Sequence, residues 1–443
     1  MGWREAAGVD LLIRGGRVVD PSQGLDAIRD VRIENGVVAE IGEHLQPHDW
    51  GFEEADVFDA TGAIVAPGFI DMHVHLREPG ATHKETIATG SAAAVAGGFS
   101  AVACMPNTEP ALDSPALVAD VLRLGDAAGL ARIYPIAAVT RGRAGKELAP
   151  FWRLHDAGAV AFSDDGSTIE DVRVLRQAAL YARAVPGVFV QHCEDRSLKG
   201  DAVMHEGEHS LRLGLAGSPG LAEDVIVARD VLVCAQTGKA FHMAHVSTAT
   251  SMDLIRFARA RTAPVTCEVT PHHLLLHDDR FGSFRADAKV NPPLRAEDDA
   301  SALRAAVRDG TVDAFATDHA PHTREEKEQL LGDAPVGFSS LEIAIGAYAH
   351  ALPDLPLERF VALSSTNPAR ILGVPGGTLR IGAPGDATVF ADRPWRVDAT
   401  RFESLGRNTP FDGWTFQRRA IATVVGGRFA MRDGVVRGRR AAV

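Results

Sequence analysis

The sequence predicts an α/β protein: a (β/α)8 barrel with a small β-sandwich domain built from both chain ends. Three observations lead there. The chain has 443 residues and 46% hydrophobic content, enough to bury one large barrel core with an appendage. Its centre alternates apolar runs ending in polar residues with Ala-, Leu- and Arg-rich stretches of helical period. Both ends read instead as short strands separated by turns.

Taken in order, LLIRGGRVVDP and DVRIENGVVAEIG open the chain, with Gly-Gly and Asn-Gly as turn signals between runs rich in Val and Ile. From Ala66 the texture changes to the strand-helix repeat. Barrel strands are expected at 68–75, 99–105, 133–139, 159–162, 188–192, 241–245, 265–270 and 312–317, and helices such as 170–184 and 222–237 lie between them. Beyond Gly376, GTLRIGAPGDATVFA and IATVVGGRFAMRDG return to strands and turns. The division that follows is 1–66 with 376–443 as the small β domain, and 67–375 as the barrel. The charged stretch 323–333, with Gly332, reads as a mobile loop.

Composition narrows the function. Charges or glycines interrupt every apolar stretch before a membrane span is reached, and MGWREAAGVD lacks the basic-then-apolar order of a signal peptide. A cytoplasmic protein is expected. The four cysteines, Cys104, Cys193, Cys234 and Cys267, form no CxxC pair, so a metal site would need His and carboxylate ligands. The formal charge of -12 is spread without a basic block, which argues against nucleic acid or an anionic membrane as a partner. An anionic small-molecule substrate would need a local positive group.

The strongest local signal is DMHVHLR at the end of the first expected barrel strand. Alternate strand residues share a face, so His73 and His75 would aim both imidazoles the same way, as a pair of metal ligands must. Asp165 in FSDDG, His192 in VQHCED, His245 in MAHVST and Asp318 in ATDHAPH fall at the ends of later strands. Each alone has an ordinary reading as a turn, cap or barrel-mouth residue. Together they are the set that two zinc ions require, because this kind of barrel assembles its site from the C-terminal strand ends. His272 and His273 in TPHHL are read as structural residues of the barrel mouth.

DMHVHLREPG together with ATDHAPHTREEK resembles the paired signatures of the dihydroorotase family, within the amidohydrolase superfamily. The likeness extends over nearly the whole chain, including the NPAR segment at 367–370. It implies that His73, His75 and Asp318 hold the more buried zinc and that His192 and His245 hold the second. Many superfamily members bridge the two metals with a carboxylated lysine, but here the segment reads AFSDDGS. An aspartate takes that role in the bacterial branch, and alignment through QHCED places it on Asp165 rather than Asp164.

The reaction implied is the reversible, zinc-dependent cyclisation of N-carbamoyl-L-aspartate to L-dihydroorotate in pyrimidine biosynthesis. In it a metal-bound hydroxide attacks the ring amide and Asp318 carries the proton. Arg77, on the same face as His75, offers a planar fork for the substrate carboxylate. By resemblance Asn107 and His322 join it, while Asn291 and the backbone of Val336 and Gly337 contact the pyrimidine ring. The family often has an aromatic residue where Val336 stands, so stacking would be lost. The likeness also implies a homodimer and permits association with aspartate transcarbamoylase. Hydantoinase or allantoinase is the competing enzyme class, opposed by Arg77 and the missing lysine. An inactive partner of the transcarbamoylase is the other alternative, opposed by the filled ligand positions.

Overall fold

Eight parallel strands follow one another in chain order around a single sheet: Phe69–Val74, Phe99–Cys104, Arg132–Ala137, Ala161–Ser163, Phe189–Gln191, Phe241–Met243, Val265–Val269 and Ala314–Phe315. The computed structural model describes residues 10–46 and 57–437, so the expectations for 1–9, 47–56 and 438–443 lie outside the described residues. A bridge between Val74 and His319 brings the last strand back to the first, and the His75 N–H donates to the His319 carbonyl at 2.8 Å. The barrel is thereby nearly closed.

The strands are buried on both faces, as parallel strands under helices must be. Along the first strand Phe69 and Val74 pack outward into the large core beneath the helices, whereas Ile70 and Met72 join Ala101, Ala103, Ile136 and Val190 inside the barrel. That apolar plug fills the barrel interior. Helices such as Pro115–Ala128, Val172–Tyr181 and Leu221–Thr237 make the return connections. Each expected barrel strand is present, although several are shorter. The 312–317 run contributes only Ala314–Phe315, and a few residues on the chain leaves extended geometry at Asp318, with φ of 48°.

The two chain ends meet on Ile64–Pro67, which pairs in parallel with Leu11–Asp20 on one side and antiparallel with Ala387–Arg396 on the other. They form one nine-stranded mixed sheet whose halves share an apolar cluster including Ile13, Val18, Val65, Val389 and Ile421. The small β domain expected from both chain ends is present, its strands continuous in one sheet around a common core. The expected Gly-Gly turn is different: Leu11–Asp20 runs through Gly15 and Gly16 as one strand with a bulge. A Cβ at Gly16 would meet Val65 at 2.5 Å, so close strand approach explains that glycine. Asn35-Gly36, with φ of 50° and 77°, does make the tight hairpin turn expected of it.

One ion pair ties the barrel to this sheet. Arg132, at the start of a barrel strand, donates from Nε and Nη2 to the Asp386 carboxylate at 2.6 and 2.9 Å, and the Gly426 N–H donates to the same carboxylate at 2.7 Å. Asp386→Ala would leave a largely buried guanidinium without this carboxylate, at a cost of about 3 kcal/mol. The expected result is a lower urea midpoint with metal content unchanged.

Candidate metal centre

Six polar side chains leave the C-terminal ends of the barrel strands and converge within one buried space. His73 and His75 follow each other across one strand face. The His73 Nε2 lies 3.4 Å from Asp165 Oδ1, and the His75 Nε2 lies 3.6 Å from Asp165 Oδ2. Two further imidazoles share Oδ1 with His73: His192 Nδ1 and His245 Nε2 lie 3.8 and 3.7 Å from it. Asp318 Oδ1 stands 3.0 Å from His75 Nε2 and 3.6 Å from His73 Nε2. Two metal-sized groups result, His73/His75/Asp165 and Asp165/His192/His245, and Asp165 belongs to both.

The donor set fits a pair of divalent cations on the observed atoms. Among the described residues His73 Nε2 and Asp165 Oδ1 are buried without a hydrogen-bond partner, and the Nδ1 of His192 lies only 3.0 Å from the Nε2 of His245. Orphaned buried donors and acceptors of this kind are costly unless something else engages them. Imidazole and carboxylate without thiolate suit zinc among the common ions. Asp164 is turned elsewhere. Its carboxylate accepts from the Val139 and Thr140 N–H groups at 2.9 and 3.0 Å and from the Thr140 hydroxyl, holding the neighbouring strand end.

Hydrogen bonds behind the cluster fix which ring nitrogen faces inward. The Nδ1 of His73 meets Glu268 Oε1 at 2.8 Å, and that of His75 meets Asn107 Oδ1 at 2.8 Å. In both, a proton on Nδ1 leaves Nε2 bare for a cation. Glu268 also receives His242 Nε2 at 3.0 Å and the His245 N–H at 3.3 Å. Burial would raise the Glu268 carboxyl, but the His242 and His73 contacts outweigh burial and hold it low. Likewise burial opposes ionisation of Asp318, yet the His75 hydrogen bond and nearby imidazoles keep it well below the carboxylate range. Asp71 accepts the His73 N–H at 3.0 Å and the Thr317 N–H at 3.2 Å, joining first and last strands under the site, and burial pushes its carboxyl up to about 7.

Glu268, His242 and Asp71 were not singled out by the sequence reading. A glutamate inside the otherwise apolar strand VTCEV was the available signal, since buried charges need a partner. His272 and His273 stay outside both donor groups. His273 is held between Thr270 Oγ1 and the Pro292 carbonyl, and His272 packs against it and Phe338.

The residues expected around a substrate lie at the rim. Arg77, at φ of 60°, donates from Nε to the Pro321 carbonyl at 3.2 Å and places Nη2 3.2 Å from His322 Nε2. Asn107 is drawn to His75, and Asn291 lies beside Glu194 Oε2, which pairs with Lys199 at 2.6 Å. Val336 is 37% exposed, and its carbonyl lies 2.8 Å from His322 Nε2. The Gly337 N–H already donates to the Lys289 carbonyl at 2.8 Å, which takes that donor away from a substrate in this conformation. Arg77, His245 and Asp318 all have left-handed backbone, at φ of 60°, 34° and 48°. Strain of about 1–3 kcal/mol at such positions persists only where the surroundings enforce it.

A nearly closed parallel barrel gathering imidazoles and carboxylates at one end has the architecture of the amidohydrolase superfamily. The solved structure of L-hydantoinase (dihydropyrimidinase) from Arthrobacter aurescens superposes with a TM-score of 0.83 over 97% of both chains at 24% identity. A D-hydantoinase from a Thermus species gives 0.78 at 24%. Those likenesses establish the fold. Residues 62–251 match the family model described as dihydro-orotase-like. The curated dihydroorotase of Pelotomaculum thermopropionicum is 48% identical over 96% of this chain and 100% of its own length, and that of Citrifermentans bemidjiense is 45% identical over 95% and 99%. The chain belongs to the dihydroorotase family.

Glu268→Gln keeps the volume but ends the carboxylate's capacity to accept from His73, His242 and the His245 backbone together. Zinc affinity measured by equilibrium dialysis is expected to fall about 10–100-fold. Unchanged affinity would remove Glu268 from the support of the site.

Proposed function

We propose that this chain catalyses the reversible cyclisation of N-carbamoyl-L-aspartate to L-dihydroorotate, with two zinc ions bridged by Asp165. The observation that carries the reading is the single Asp165 carboxylate shared by two imidazole pairs, with an arginine fork at the rim above them. His73, His75 and Asp318 would hold one ion and His192 and His245 the other. Ions so held would supply a water nucleophile near neutral pH and polarise the reacting carbonyl.

The side chains do the rest. Asp318, anionic and 3.0 Å from His75, accepts the proton of the attacking water and delivers it to the departing ring nitrogen. In the biosynthetic direction the same carboxylate takes the proton from the ureido nitrogen. Arg77 keeps its Nη edge for the substrate carboxylate because Nε is already spent on Pro321, and His322 sets the angle of that edge. Asn107, oriented by His75, turns its amide nitrogen to the same carboxylate, and Asn291 with the 336–337 segment borders the ring. Hydantoinases share the barrel, but the cationic fork of Arg77 favours a substrate that carries a carboxylate.

The family likeness extends this reading to a cytoplasmic homodimer able to associate with aspartate transcarbamoylase, and to a boundary between 1–66 with 376–443 and 67–375. Among the described residues no helix is long and apolar enough to cross a membrane.

Zinc analysis paired with assays on dihydroorotate, dihydrouracil, hydantoin and allantoin tests the assignment. Turnover of dihydroorotate alone, abolished by chelator, is expected, and turnover of allantoin without dihydroorotate would overturn it. Asp318→Ala should lower kcat by about 10²–10⁴-fold with protein still folded. Arg77→Lys keeps the charge and loses the fork, so KM should rise about tenfold while zinc content holds. The two zinc sites should also separate on titration. His73 and His75 are each oriented by a 2.8 Å contact, whereas His192 Nε2 meets Glu194 only at 3.5 Å and His245 Nδ1 has no partner among the described residues. A mild chelator should therefore strip one ion per chain before the other.

A further inference from the structure

The second signature, ATDHAPHTREEK, ends in a lysine that none of the chemistry above uses. Lys327 closes the short helix Arg324–Lys327, and its side chain is buried, with 7% exposure. The ammonium donates to the Pro335 carbonyl at 2.9 Å and to the Gly337 carbonyl at 2.8 Å. A second buried lysine, Lys289, approaches the same segment. It donates to the carbonyls of Leu331, Gly332 and Ala334 at 2.7, 3.1 and 2.7 Å, while its own carbonyl receives the Gly337 N–H. Neither ammonium has an ion-pair partner within 4.0 Å among the described residues.

Burying an ammonium without an anion costs several kcal/mol unless its protons are all taken up. Here five carbonyls, all within residues 331–337, take three protons of Lys289 and two of Lys327. This is an expensive way to hold a surface loop unless the position of that loop matters. The loop ends at the Val336 carbonyl, 2.8 Å from His322, and His322 lies 3.2 Å from the Arg77 fork. Within the stretch 323–333, read from the sequence as a mobile loop, residues 324–327 form a helix and the Leu331 and Gly332 carbonyls are held by Lys289.

We propose that Lys327 and Lys289 are positioning residues for substrate recognition, pinning the 331–337 loop so that Val336, His322 and Arg77 present one fixed edge to the substrate carboxylate and ring. The inference rests on the dihydroorotase reading of the site. It requires no contact between either lysine and substrate. Removing an ammonium would let the loop's carbonyls turn toward water, tilting His322 and blunting the fork, while the zinc ligands beneath remain on the rigid barrel ends.

The test uses full-length Lys327→Met and, independently, Lys289→Met, with zinc per chain, thermal midpoint, KM and kcat for dihydroorotate measured on each. KM is expected to rise about tenfold or more, with kcat and zinc content within about twofold of the parent, a split that general unfolding would not produce. Lys327→Ala should recover part of its KM when ethylammonium is added, and this arm decides if the methionine variant fails to fold. Unchanged KM in folded variants, or a parallel loss of zinc, kcat and affinity, overturns the positioning role. Absence of dihydroorotate turnover in the parent protein would instead overturn the underlying assignment.

Discussion

Asp165 places one carboxylate among four imidazoles in a buried space, and the architecture around it serves to keep that arrangement in place. Oδ1 lies 3.4 to 3.8 Å from His73, His192 and His245, and Oδ2 lies 3.6 Å from His75. These separations are too long for good hydrogen bonds and suited to a cation between each pair. Bare ring nitrogens and an orphaned carboxylate oxygen at such depth would otherwise subtract from folding stability. The site is therefore one that the fold must force on its residues, and the forcing can be followed outward.

It begins with Glu268 and Asp71, both at 0% exposure beneath the donors. Glu268 holds a ring from one donor group and the backbone of a residue from the other, so the two halves cannot drift independently. Asp71 holds the first strand to the last at the bridge where the ring closes. Barrel closure and site assembly are thus one event, because the contacts that complete the sheet also place His73, His75 and Asp318. The left-handed backbone at His245 and Asp318 is tolerated for the same reason: the ladder hydrogen bonds end there and the side chains must turn inward.

This division explains what was readable in the sequence. The strand-helix alternation and the histidine pair at the first strand end are periodic signals, and the strands they indicated are present, shorter mainly at the ends where the chain leaves extended geometry. Asp165 could be separated from Asp164 only by family alignment, since neither periodicity nor composition distinguishes adjacent aspartates; in space Asp164 is consumed by Val139 and Thr140. Glu268 was missed because its contact with His73 spans 195 positions of chain, and the lysine lacing because its partners are backbone carbonyls, which carry no residue-type signal. Gly15-Gly16 misled for the opposite reason. A local turn signal was overridden by a tertiary need for close approach to Val65.

The same reasoning locates specificity. A hydantoinase barrel superposes at a TM-score of 0.83 with 24% identity, so the barrel itself carries little information about which ring is opened or closed. The parts able to discriminate are those at the rim, where Arg77 has traded ordinary backbone geometry for a position beside His322. A carboxylate entering there meets a guanidinium already half-committed to Pro321 and an imidazole whose placement depends on the 331–337 loop. Burial and the neighbouring Arg77, Lys84 and Lys327 cations hold His322 neutral, its imidazole pushed down to about 3. Its Nε2 is engaged by the Val336 carbonyl, and the positive charge of this edge is left to arginine. On the proposed reading of the site, an uncharged ring would gain nothing from this edge and would leave the guanidinium desolvated without an anion, so that the rim would filter by penalty as well as by attraction.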